Sequence, residues 1–296
     1  MLYDEISSNR AKTFLLFLIF IIFIGIIAYV INMLFFQGIV FLVFAAIIAI
    51  VFSLISYYAG SKIVLSMSHA KEANKKEHAY LINTIEGLAI AAGIPKPKAY
   101  VIPGQQINAF ATGTSPKTAS IAVTEGALQK LDREELEGVI AHEMSHIKNF
   151  DIRVMLLASV LVGIIIFVTE ILLRSFLFGG LSGRDNNRGG SWNLIFLAIG
   201  IVLLILSPII AQMIKFAISR KREYLADASG ALLNRNPKGL ADALKKIKND
   251  TSELKGASNA NAHLYISNPF KKKQWLSGLF QTHPSLDSRI QKLEAM

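Results

Sequence analysis

The 296 residues include no cysteine. That absence excludes a disulfide framework, a thiolate metal ligand and a cysteine nucleophile, so any bound metal must be held by His, Glu or Asp. Acidic residues are also scarce, with 21 Asp and Glu against 31 Lys and Arg, a net charge of +10. A basic excess can signal nucleic acid. Here, however, only 18% of residues are charged and 52% are hydrophobic, the apolar ones gathered in blocks. In such a chain the positive charge reads as flanks of membrane segments on the cytoplasmic side, and no nucleic-acid partner is expected.

Residues 14–36 form an uncharged apolar run long enough to cross a bilayer as a helix. A cleaved signal peptide would be shorter and end in a small-residue cleavage site. Instead Gln37 and Gly38 interrupt the run before a second one, to Tyr58. The two make a hairpin with both ends on one side, which Arg10, Lys12, Lys62, Lys71, Lys75 and Lys76 mark as cytoplasmic. Residues 154–177 and 192–216 form a second hairpin, joined by an external loop with Arg184 and Arg188. Glu170 and Arg174, four apart in this block, can pair across one helical turn; an ionisable residue within a span is also a functional candidate. The expected order is a membrane hairpin over 1–60, a cytoplasmic part over 61–153, a second hairpin over 154–216 and a second cytoplasmic part over 217–296.

Between the hairpins, residues 132–151 contain His142, Glu143 and His146 in the order His-Glu-x-x-His. On a helix, residues four apart share a face, so the two imidazoles can bind one metal ion. Glu143 projects about a quarter turn away, where it can take a proton from a water at the metal. Asp132 as N-cap, Glu135 three residues later and the apolar positions Leu136, Val139, Ile140 and Ile147 support the helix. The ion this predicts is Zn2+.

A catalytic zinc site needs a third protein ligand and an open position. After the fourth apolar block, Glu223 and Asp227 stand four apart on a predicted helix. Glu223 is the candidate ligand, and Asp227 the candidate acceptor for the second ring N–H of a zinc-bound histidine. Spacing alone also allows both carboxylates simply to balance Arg220, Lys221 and Arg222.

Residues 71–92 read as a soluble helix stopped by Gly93 and Pro95. Strand-like runs at 99–102, 107–112 and 119–124 predict a small sheet. If its edge faces the metal, Asn108, Ala109 and Phe110 could hold an extended peptide by strand addition; an ordinary strand is the alternative. Residues 237–249 read as a packing helix. Residues 270–280, with Lys271 to Lys273 and Trp275, could meet anionic lipid or form a solvated loop. His283 opens a last helix with Leu286, Ile290 and Leu293; by itself it reads as a surface or capping histidine.

His-Glu-x-x-His with Asp151 five residues on, Ser-Arg-x-Arg-Glu-Tyr-x-Ala-Asp from 219, Asn-Ala-Phe-Ala-Thr-Gly from 108 and His-Pro-Ser from 283 together resemble the HtpX family of membrane zinc endopeptidases. That family is similar in its core to the CAAX prenyl proteases. The resemblance implies a mainly α membrane protein, with four transmembrane helices and a cytoplasmic zincin-like α+β protease domain containing a small sheet. It implies one zinc per chain held by His142, His146 and Glu223, with Glu143 as base. It also implies a multi-pass protein of the bacterial inner membrane that degrades damaged membrane proteins in envelope quality control. Asn108 becomes a substrate-positioning candidate, and His283, with Arg289 six residues later, falls near the zinc, where His283 could stabilise an oxyanion.

Three rivals remain. An intramembrane protease would place the same motif at bilayer depth, against the charge of Asp132, Arg133, Glu134, Glu135, Glu137, Lys148 and Asp151. A non-catalytic scaffold or holdase would use zinc structurally and fill its fourth position with a protein ligand. A CAAX-type processing enzyme would need lipid-tail recognition, for which the sequence offers no motif. Substrate and oligomeric state are not encoded in any recognisable pattern.

Overall fold

The structure, a computed structural model, describes residues 38–160, 220–254, 261–270 and 284–296, with isolated positions in 11–32 and at 163 and 257. Helix α1 (Ile39–Met67) is 29 residues long, about 43 Å at the α-helical rise. It is uncharged from Ile39 to Ser61, and Ile39, Val40, Phe44, Ile47, Leu54 and Tyr58 are all exposed. Among the described residues taken alone, no helix is long and apolar enough to cross a membrane.

Where a helix over 71–92 was expected, the chain forms a short strand and a shorter helix. β1 (Lys71–Glu72) comes first, then a turn in which Asn74 Oδ1 accepts from Lys76 N and Asn74 O from His78 N, then α2 (Ala79–Ala92). The reason is burial: Leu81, Ile85, Leu88 and Ala89 supply an apolar face, whereas residues 71–78 have none to offer. Gly93 ends α2 as predicted, in the left-handed conformation at φ 69°.

The sheet has four strands rather than three, in the order β1, β2 (Lys98–Ile102), β4 (Ser120–Thr124), β3 (Ala109–Thr112). β2 and β4 run parallel; β1 and β3 pair antiparallel with their neighbours. Ala109 and Ala111 of β3 turn to one face, into a core shared with α2 and with α4 (Arg133–Lys148). Phe110 turns to the other, onto Tyr265, Met155 and Leu156 beneath Val64 and Leu65 of α1. Position 107, expected within the strand, precedes it, because Ile107 N is bonded instead to the Asp250 carboxylate.

A short helix α3 (Glu125–Lys130) leads into α4, whose start is fixed by a reciprocal cap. Asp132 Oδ1 accepts from Glu135 N at 2.9 Å and Glu135 Oε2 from Asp132 N at 2.8 Å. Phe150, at φ 60°, then turns the chain into a further helix, α5, over 151–160. On the other side of α4 pack α6 (Arg220–Asn234), α7 (Pro237–Asn249) and, against them, α8 (Leu286–Glu294).

Candidate metal centre

The close crossing of α4 and α6 sets the site. A Cβ on Gly230 would stand 2.9 Å from His142 N, so only glycine lets α6 come this near. The His142 and His146 rings lie with centroids 4.8 Å apart and planes at 89°, and their Nε2 atoms face each other at 3.2 Å. From α6, Glu223 Oε1 lies 3.6 Å from His146 Nε2, and its Oε2 lies 3.8 Å from His142 Nε2. Lone pairs this close repel unless a proton or a metal cation lies between them. In a tetrahedral site with zinc bonds of about 2.0–2.1 Å, ligand atoms stand roughly 3.3 Å apart. The three donors fit that spacing, and among the described residues they form the one group able to hold a metal.

These side chains have almost no contact with bulk solvent. His142 is 1% exposed, Glu143 2%, His146 3% and Glu223 2%. Burial pushes the Glu143 carboxyl up from its ordinary range, against the pull of both histidines and a hydrogen bond from the Ala111 backbone. A base raised in this way works nearer neutral pH. For His146, burial acts downward, but the Asp151 bond and the charges of Glu223, Asp151 and Glu143 outweigh it and lift the imidazole to about 9.

Each ring is oriented from behind. His142 Nδ1 is 2.9 Å from Asp227 Oδ1, and His146 Nδ1 is 3.0 Å from Asp151 Oδ2. With Nδ1–H donated to a carboxylate, Nε2 keeps its lone pair for a metal. Arg289, fully buried, holds Asp227 by two bonds, Nη2 to Oδ1 at 2.6 Å and Nε to Oδ2 at 2.9 Å. Burial would raise the Asp227 carboxyl; the charge of Arg289 and the bond from His142 overcome this and hold it at about 2.

Residues 75–296 match the family model described as Peptidase family M48. The chain belongs to peptidase family M48. Within that family it stands with the HtpX proteases, as its sequence motifs implied. It is 44% identical over 295 residues to a protein named Protease HtpX homolog from Caldanaerobacter subterraneus subsp. tengcongensis, covering 100% of this chain and 98% of that one. A Protease HtpX homolog from Listeria monocytogenes serotype 4a is 43% identical over 304 residues, with 100% of both chains covered. The crystal structure of S. mikatae Ste24p superposes with a TM-score of 0.51 at 21% identity, over 91% of this chain and 62% of that one. At that identity the likeness concerns the fold. Membership of M48 makes the chain a metalloprotease with a mixed sheet and a mostly helical frame.

Of the residues singled out in the sequence, His142, Glu143, His146, Glu223, Asp227 and Arg289 meet at this M48 centre. Asn108 does not point there with free hydrogen-bonding capacity. Its Oδ1 accepts from Ala109 N at 3.1 Å and Ser267 N at 3.4 Å, and its Nδ2 donates to Gln106 Oε1 and Ser267 O. Ala109 O likewise accepts from Ile266 N. Phe110 faces away, edge-on to Tyr265. His283, Glu170, Arg174 and residues 271–280 lie outside the described residues, as does most of the second apolar hairpin. The sequence reading gave Asp151 no role of its own. Its fixed distance of five from His146, just past a helix end, was the available signal; the left-handed turn at Phe150 that aims it back was not visible.

Proposed function

We propose that this M48 peptidase is a zinc endopeptidase of the bacterial inner membrane. It cleaves damaged or misfolded membrane proteins at the cytoplasmic surface as part of envelope quality control. The observation that carries the reading is the convergence of His142, His146 and Glu223 donors at bonding separation, with Glu143 beside them. The hydroxyl-free, cysteine-free donor set suits Zn2+, and a zinc ion there supplies a Lewis acid that polarises a carbonyl and acidifies water.

The chain's own groups do the rest. Glu143, its affinity for protons raised by burial, removes the proton of the attacking water and returns it to the leaving amine. Asp227 and Asp151 keep both imidazoles in the tautomer that presents Nε2 inward. β3 runs beside the base, since the Ala111 backbone bonds Glu143, and an extended peptide laid along it brings its carbonyl to the site. Ala109 and Asn108 frame the start of that strand through residues 266–267; the role of oxyanion donor goes to His283 on the family resemblance alone. A site this enclosed admits an unfolded segment more readily than a folded domain, in keeping with a quality-control substrate.

In this reading the hairpins over 1–60 and 154–216 span the bilayer, and the parts over 61–153 and 217–296 join into one protease domain in the cytoplasm. The exposed apolar side chains of α1 support it, because lipid rather than water suits such a surface. The test is zinc content and casein cleavage of the purified wild type beside E143Q. The variant should keep its zinc and its fold and lose cleavage by at least 100-fold, the low end for general acid–base catalysis; equal cleavage would remove Glu143 from the mechanism.

A further inference from the structure

The two orienting carboxylates are built alike, and the second has a partner of its own. Asp151 uses Oδ2 for His146 and turns Oδ1 to Arg222, whose Nη1 lies 3.3 Å away. Both side chains are buried. On the other ring the order is the same: His142, Asp227, Arg289. Each histidine is thus backed by an aspartate and each aspartate by an arginine, one arginine from each of α6 and α8.

Charge gives this arrangement its purpose. Glu143, Asp151, Glu223 and Asp227 are buried carboxylates, and Arg222 and Arg289 are the buried guanidinium groups beside them. A divalent cation that takes both Nε2 lone pairs would leave the imidazoles neutral; the four negative and two positive side chains then carry a net charge of minus two, which that cation cancels. A buried aspartate without its arginine would draw back toward solvent, and the ring it orients would lose its fixed acceptor.

We propose that Arg222 is a positioning residue: through Asp151 it fixes the His146 ring, the counterpart of what Arg289 does for His142 through Asp227. Arg222 neighbours Glu223 in sequence, so α6 delivers a ligand, one orienting carboxylate and the support of the other together. This rests on the metal-site reading above.

The experiment is a double-mutant cycle on the full-length protein in detergent, reading zinc affinity by chelator competition and the visible spectrum of the cobalt-substituted protein. R222M and D151N should each weaken zinc about 10-fold to 100-fold, the range for groups that orient metal ligands. R222M should cost nothing further in the D151N background, and R222K should recover part of the loss. The cobalt bands of R222M should shift toward those of D151N. Should R222M fail to fold, R222K takes its place in the same cycle, with weakening on the wild-type background only. Affinity of R222M within twofold of wild type, or an equal loss in both backgrounds, overturns the proposal; with R222K in its place, an equal loss in both backgrounds does. A wild-type protein that takes up no zinc would instead overturn the metal-site reading itself.

Discussion

Replacing Arg289 by methionine removes a guanidinium that is wholly buried and bonded on both forks to Asp227. Methionine fills much of the stem's volume, so the loss is chiefly electrostatic. Two unit charges with centres about 4 Å apart attract by about 4 kcal/mol at an effective dielectric of 20. Breaking one side of a buried pair typically costs about 3–5 kcal/mol, because the abandoned charge has no water to turn to. Arg289 Nη1 also bonds Ile266 O at 3.3 Å, which ties the segment beside β3 to α8. For a folded unit of this size, each kcal/mol moves the melting point by about 2–4 °C, so R289M should melt roughly 6–20 °C lower. The double variant R289M/D227N, which removes both charges, should recover more than half of that fall. Differential scanning fluorimetry of the metal-free proteins reads both. A fall under about 2 °C for R289M, less than 1 kcal/mol on the same scale, would refute the account of Arg289 as the counter-charge of the site.

Adding a methyl group at Gly230 should separate α6 from α4, since its Cβ would stand 2.9 Å from the His142 backbone nitrogen; G230A is expected to cost about 1–3 kcal/mol and to weaken zinc uptake, both measurable by melting with and without metal. Asp250 is held at about 2, below its ordinary 3.8, because bonds from Ile107 N, Ser252 and Lys130 outweigh the opposing effect of burial. A lowered carboxylate stabilises above its unfolded value and loses that contribution as pH falls from about 4 toward 2. The stability gap between wild type and D250N should therefore be full at neutral pH and close across that window; a gap that stays constant down to pH 2 would count against it.

How much could be foreseen depends on the range over which each signal acts. The α4 cap was legible because Asp132 and Glu135 are three residues apart and serve each other. The two metal-facing histidines were legible for the same reason, one turn separating them. Glu223 and Asp227 could be paired with each other by spacing, but spacing left open whether they meet the histidines; Gly230 decides that, through a helix crossing no local pattern encodes. β1 was missed because two residues carry no periodicity, and its existence depends on the neighbouring β2. For Asn108 the sequence leaves a substrate-facing group and an ordinary strand residue both open; what it could not show is that the side-chain amide is engaged by Ser267, 159 positions later. α1 carries exposed apolar side chains, but among the described residues no helix is long and apolar enough to cross a membrane, and the remaining apolar blocks fall mostly outside the described residues.

The order in which the site's parts leave the ribosome follows from how widely they are separated. His142 and Arg289, which flank the same aspartate, are 147 positions apart. At ordinary synthesis rates of 5–20 residues per second, roughly 7–30 s pass between them. Over the first part of that interval the histidine pair exists without Glu223 and Asp227, and over all of it without the arginine that steadies Asp227. Until Arg289 has been made, Asp227 has no counter-charge, and the centre is incomplete however early its histidines fold.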